Sequence, residues 1–92
     1  MENKLLYKIY IQGQVQGVGF RWNASNEAKK RGINGFVRNL SDGRVYIEAE
    51  GVREQLNGFV EWCRRGPAFS SVDSADVESS PPAGYTDFRI AH

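Results

Sequence analysis

The stretch Gly13-Gln14-Val15-Gln16-Gly17-Val18-Gly19-Phe20-Arg21 brings together residue types suited to holding an anion. It is rich in glycine, free of acids, and ends on a guanidinium. It lies between an alternating apolar segment and the start of a helical periodicity. At such a junction the unpaired backbone N–H groups and the positive end of the helix dipole favour negative charge. Gly17 and Gly19 allow the chain to curl until successive N–H groups converge on one point. No Ser, Thr, Asp or Asn stands at the expected cap just before Phe20, and the first acid of the helix is Glu27. The first-turn donors therefore have no built-in side-chain partner. Arg21 adds a cation at the positive end of the helix, at a cost of ~0.3–1 kcal/mol. A docked anion would relieve both features. The plainer alternative is a glycine-rich turn with an exposed arginine. The spacing fits neither the dinucleotide fingerprint nor the nucleotide P-loop, which ends in Lys-Ser or Lys-Thr.

Other reactive side chains are few. Cys63 is the single cysteine and falls on an apolar helical stripe, which reads as a buried thiol rather than a nucleophile. It excludes an internal disulfide and cannot make a metal site alone. The single histidine, His92, is the last residue, which argues against a histidine-based triad or metal cluster. No metal and no cofactor are expected. A net charge of +1 gives no broad field for nucleic acid or a membrane, so any anion site must be local.

The elements that must position this loop are legible in the pattern. From Leu6 to Val15, Ile9 and Ile11 share one side, with Lys8, Tyr10 and Gln12 opposite, as in a half-buried strand. Phe20, Ala24 and Ala28, with Arg31 at the margin, recur at helical spacing, and Gly32 is a natural stop. Lys29, Lys30 and Arg31 suit the negative end of that helix as a solvated run. Ile33–Leu40 and Arg44–Gly51 are strand-like runs joined by Ser41-Asp42-Gly43, a strong hairpin signal. Val45, Ile47 and Ala49 face one way, and Arg44, Tyr46, Glu48 and Glu50 the other. Leu56, Phe59, Val60 and Cys63 mark a second helix over Val52–Arg65, ended by Gly66-Pro67. Ser70–Ser79 reads as a weaker strand around Val72 and Val77, and Tyr85–Ala91 as a short last one. Two helices packed on one face of a mainly antiparallel sheet satisfy this order with one core. The 92 residues, 40% hydrophobic and 25% charged, make a single domain, residues 1–92. The Met1–Gln12 segment lacks the marks of a signal peptide, and no run approaches a membrane helix.

The run Gly13-x-Val15-Gln16-Gly17-Val18-x-Phe20-Arg21, followed by Gly35-x-Val37-x-Asn39-x-x-Asp42-Gly43, resembles the acylphosphatase family. The later Gly66-Pro67 fits as well, so the likeness spans nearly the whole chain. Phe36 stands where tryptophan is common in that family, a change expected to touch packing rather than chemistry. The resemblance implies a ferredoxin-like α+β fold, βαββαβ, and hydrolysis of acyl phosphates to a carboxylate and inorganic phosphate. It also implies that Arg21 binds the phosphate and Asn39 orients the attacking water. The backbone N–H groups of Gln16, Gly17, Val18, Gly19 and Phe20 would complete the cradle. Asn23 is given no role, Arg38 points away from Asn39 by strand alternation, and Asp42 reads as a turn former. Whether Ser70 and Ser71 approach the site is open.

Two polar residues suffice for this chemistry. The leaving carboxylate belongs to an acid of pKa roughly 4, so no general acid is required. What remains is to neutralise the phosphoryl oxygens and aim a water in line. A guanidinium fork does the first and an amide the second. With no base in either motif, a substrate phosphate oxygen is expected to take the proton. A non-catalytic phosphate-binding module is one alternative, and a domain handling carbamoyl phosphate inside a larger transfer machine is another. An RNA-binding reading would use Tyr10, Tyr46 and Phe36 as exposed rings, against the near-zero charge. The expected partner is a small acyl phosphate, and the expected setting a monomer in the reducing cytoplasm.

Overall fold

The structure, a computed structural model, describes residues 3–92. Met1 and Glu2, which open the segment read above for a signal peptide, lie outside the described residues.

Alternation builds the first strand, β1 (Lys4–Gln14), with Ile9 and Ile11 fully buried on one side. Helix α1 (Phe20–Lys30) follows, and buries Phe20, Ala24 and Ala28 as its spacing requires. β2 (Asn34–Asn39) and β3 (Val45–Val52) form the hairpin around Asp42-Gly43. There Asp42 accepts the Arg44 N–H at 3.1 Å and its guanidinium at 2.9 Å. The backbone hydrogen bond first, and the guanidinium after it, lower the Asp42 pKa, as befits a turn former. Helix α2 (Arg53–Arg65) buries Leu56, Phe59, Val60 and Cys63, and β4 (Ser71–Ser80) and β5 (Phe88–Ile90) complete the chain.

The sheet runs β4-β1-β3-β2-β5, antiparallel except for the parallel β2–β5 pair. Register sets Ile9 beside Ile47, and Ile47 beside Val37, in one apolar layer under the helices. α1 lies over β2 and β5, and α2 over β4, β1 and β3. This is the ferredoxin-like arrangement expected, with a fifth strand added at one edge.

Three details depart from the alternating pattern. The last strand covers only Phe88–Ile90, not Tyr85–Ala91, because pairing with β2 is confined to those residues. In β4, Val72, Ala75 and Val77 all touch the core although 72 and 77 differ in parity. A register shift between Gln12 and Gly13 inserts the extra residue that brings both valines inward. The face opposite the helices is also partly covered: Tyr46 and Glu50, placed by alternation on the open side, are buried. Tyr10 and Phe36 pack on Tyr46 at 4.8 and 5.8 Å between centroids, and Tyr85 packs on Phe36 at 6.0 Å. These rings are engaged with one another. The phenols of Tyr46 and Tyr85 both donate to Glu48 at 2.5 Å. Burial, reinforced by that carboxylate, pushes the Tyr85 pKa up to about 12 and raises that of Tyr46 too.

Glu50 fastens the proline-containing segment to this face. Its Oε1 accepts the N–H groups of Ala83 at 2.6 Å and Gly84 at 2.9 Å. Glu50→Ala would leave both donors without their acceptor, so a loss of about 2–3 kcal/mol in urea unfolding is expected. Its position near the far end of β3 from the Asp42 turn predicts little change in activity. An unfolding midpoint equal to wild type would show that the segment is held by other contacts.

Candidate active site

The glycine loop is pinned at both ends by buried side chains. Val15 and Phe20 are each 1% exposed, and Phe20 packs against Trp62 at 5.6 Å between centroids. Between them Gly17 (φ 76°) and Gly19 (φ 77°) adopt the left-handed conformation that makes the curl. A side chain at either position would be strained there. Gly19 caps α1 with no side-chain bond, and no acid lies in the first turn. The uncapped helix start expected from the sequence is therefore present. Among the described residues, the N–H groups of Gln16 through Phe20 meet no protein acceptor. The Gly19 carbonyl, by contrast, is occupied: the Asn23 N–H donates to it at 3.1 Å and the Asn23 side-chain amide at 2.8 Å.

A second tie joins this loop to the hairpin. The Gln16 side chain donates from Nε2 to the carbonyls of Leu40 (2.8 Å) and Arg44 (2.9 Å). It thereby fixes the loop against the turn that follows Asn39. Asn39 ends β2 on the same side as Val37, facing the helices. Its Oδ1 is buried and has no hydrogen-bond partner. Leaving such an acceptor unpaired costs about 1–3 kcal/mol, and it is the buried side-chain polar atom found in this condition among the described residues.

Arg21 reaches across the end of β5. Its Nη1 stands 3.4 Å from the Ala91 carbonyl and 3.4 Å from His92 Nδ1, both long contacts. Arg31, Arg44 and Arg89 each hold a carboxylate at 3.0 Å or closer, whereas Arg21 has no ion pair among the described residues. Its charge is thus available to a ligand.

These groups share one cleft of about 290 Å³, lined by Gly17, Gly19, Phe20, Arg21 and Asn39 together with Val15, Trp22, Ile90 and His92. A wider groove of about 570 Å³ runs past Tyr7, Asn57 and Val77, yet among the described residues it contains no unpaired buried side-chain polar atom. Of the sequence-selected residues, Gln16 and Val18 do not line the cleft. The Gln16 side chain goes to the hairpin and Val18 packs on the core, leaving only their N–H groups for a ligand. Ser70 and Ser71 stay outside it: Ser70 Oγ donates to the Pro67 carbonyl at 2.6 Å, and Ser71 opens β4. Arg38 points to the opposite face, 5.7 Å from the Tyr46 centroid. Cys63 is fully buried, and burial raises its thiol pKa, so it supplies no nucleophile. Among the described residues no three His, Cys, Asp or Glu side chains gather as a metal site. His92, set aside in the sequence, proves to be a cleft wall; only the parallel pairing of β5 with β2 reveals it.

The acylphosphatase family profile matches residues 7–90. The chain belongs to the acylphosphatase family. An acylphosphatase from Anaeromyxobacter dehalogenans is 44% identical over 84 residues, covering 91% of this chain and 90% of that protein. The crystal structure of acylphosphatase from Bacillus subtilis superposes with a TM-score of 0.93 and 44% identity, over 96% of this chain and 99% of that one. Full-length HypF, in its phosphate- and nucleotide-bound form, contains a similar region at 30% identity and TM-score 0.89. That match covers all of this chain but only 12% of HypF. As an acylphosphatase the chain is a hydrolase, and its reaction is cleavage of the carboxyl–phosphate anhydride of acyl phosphates.

Proposed function

We propose that this hydrolysis takes place in the Arg21–Asn39 cleft, with each residue in a distinct role. The phosphoryl oxygens are held by the N–H groups of Gln16 through Phe20 and by the Arg21 guanidinium. The planar fork and permanent charge of arginine suit a dianion that spreads charge over three oxygens in the transition state. Asn39 Oδ1 accepts a hydrogen bond from the attacking water and aims its lone pair at phosphorus. The leaving carboxylate departs as a stable anion and needs no proton. The water's proton passes to a phosphoryl oxygen of the substrate, because neither motif carries a base. The observation that carries this reading is the buried, unpaired Oδ1 of Asn39, which shares a cleft with a guanidinium lacking an ion pair.

We also propose that residues 1–92 work as one domain, as a monomer in the cytoplasm. The free, buried Cys63 is compatible with a reducing compartment. HypF illustrates that a similar region also occurs within a much larger chain. The freestanding reading is favoured by relatives such as the Anaeromyxobacter dehalogenans protein, whose length this chain nearly spans.

The test follows ultraviolet loss of benzoyl phosphate in the presence of EDTA, on protein whose mass light scattering reports. Turnover is expected to proceed at the same rate with or without the chelator, from a species of one chain's mass. A rate that vanishes with EDTA and returns with a divalent cation would overturn a mechanism built on Arg21 and Asn39 alone.

A further inference from the structure

Helix α1 carries an indole that the reaction above does not use. Trp22 follows Arg21 directly, lines the same cleft, and is 63% exposed. The other tryptophan, Trp62, behaves as tryptophans usually do in a small domain. It packs on the core, stacked on Phe59 at 6.0 Å and tilted against Phe20 at 5.6 Å. Trp22 joins neither the core nor the half-buried side chains packed on it, and it has no aromatic partner among the described residues. Elsewhere on α1 the exposed positions are Asn26, Lys29 and Lys30. A large apolar ring at the mouth of a cleft built for a charged group serves no packing purpose there.

We propose that Trp22 is the wall against which the acyl group lies, so that this enzyme favours acyl phosphates with a flat, apolar acyl group such as benzoyl. The inference rests on the phosphoryl site described above. There the N–H loop and the guanidinium fix one end of the substrate and are blind to the other. Beyond the phosphorus every acyl phosphate presents the same carboxyl-derived oxygens, so discrimination must come from what touches the acyl chain. Ile90, half-buried in the same lining, adds apolar surface to the cleft. Ligand clefts are typically built in this way, with a few fixed polar groups and apolar walls around them. An aromatic acyl group can lie offset on the indole face, whereas the acetyl methyl offers little area.

The experiment compares kcat/KM for benzoyl and acetyl phosphate in wild type, Trp22→Ala and Trp22→Phe, with the inhibition constant of inorganic phosphate measured for each. The benzoyl-to-acetyl ratio is expected to fall about tenfold in Trp22→Ala, mainly through KM for benzoyl phosphate, and to recover most of that loss in Trp22→Phe. Inhibition by phosphate should shift by less than about twofold, since the phosphoryl contacts are intact. A benzoyl phosphate analogue with carbon in place of the bridging oxygen should quench tryptophan emission in wild type and much less in Trp22→Phe. An unchanged ratio would overturn the proposal. So would equal losses on both substrates, which would mark Trp22 as support for Arg21 instead. Failure of phosphate to inhibit even the wild type would remove the phosphoryl site itself, an outcome distinct from either.

Discussion

Arg21→Ala is expected to lower kcat/KM for benzoyl phosphate by ~10³-fold or more, with losses in both phosphate affinity and kcat. The magnitude follows from what the side chain supplies. A single preorganised donor at a developing oxyanion is worth ~10²–10³ in rate, and a guanidinium on a transferring phosphoryl group up to ~10⁵. A thousandfold loss corresponds to about 4 kcal/mol of transition-state stabilisation. Folding should be nearly unaffected, because the guanidinium makes only two 3.4 Å contacts, to Ala91 and His92, and no ion pair among the described residues. Removing a cation from the positive end of α1 even favours the helix by ~0.3–1 kcal/mol. Arg21→Lys keeps a charge but loses the planar fork, so it should recover only part of the activity. A folded Arg21→Ala protein with wild-type kcat/KM would show that the N–H loop alone carries the phosphoryl group.

The sequence revealed the parts of this site that are local in the chain. The uncapped start at Phe20, the glycines that curl the loop and the Asp42-Gly43 turn after Asn39 each depend on neighbours a few residues away. Short-range rules therefore reach them. The rest required partners far apart in sequence. The loop motif points to the N–H of Gln16, yet its side chain crosses 24 residues to hold the Leu40 carbonyl. No periodicity announces that bond. His92 became a cleft wall because β5 pairs parallel to β2, a choice governed by the sheet edge rather than by the residues of β5. Strand alternation correctly turned Arg38 away from the cleft but left Tyr46 and Glu50 exposed. It cannot foresee that Tyr10, Phe36 and the segment around Ala83 fold over that face. Similarly, the shift at Gly13 defeats a strict period of two in β4. The role of Asn39 came through the family resemblance. In the structure its oxygen is buried and unpaired, a condition that no local pattern in the sequence announces.

That unpaired oxygen makes Asn39→Ala the more diagnostic of the two substitutions. Activity should drop by ~10²–10³-fold, almost wholly in kcat, because positioning a water is needed only for the chemical step. Inorganic phosphate should still inhibit within about threefold of wild type, since the N–H loop and Arg21 are untouched. Stability should not follow activity downward. A buried acceptor without a partner costs about 1–3 kcal/mol, and alanine removes it. The variant should therefore unfold at an equal or higher urea concentration despite losing a polar side chain in a packed cleft. An ordinary structural asparagine would behave in the opposite way, since its removal would break bonds and lower the midpoint. The pH profile supplies a further discrimination. If the water's proton goes to a phosphoryl oxygen, wild-type kcat should show no inflection near neutrality belonging to an enzyme base. His92 is the one imidazole that lines the cleft. An inflection abolished by His92→Gln would therefore move the proton from the substrate to the enzyme. If kcat in Asn39→Ala is near wild type and stability is reduced, the amide is a strut, and the attacking water must be positioned by another group.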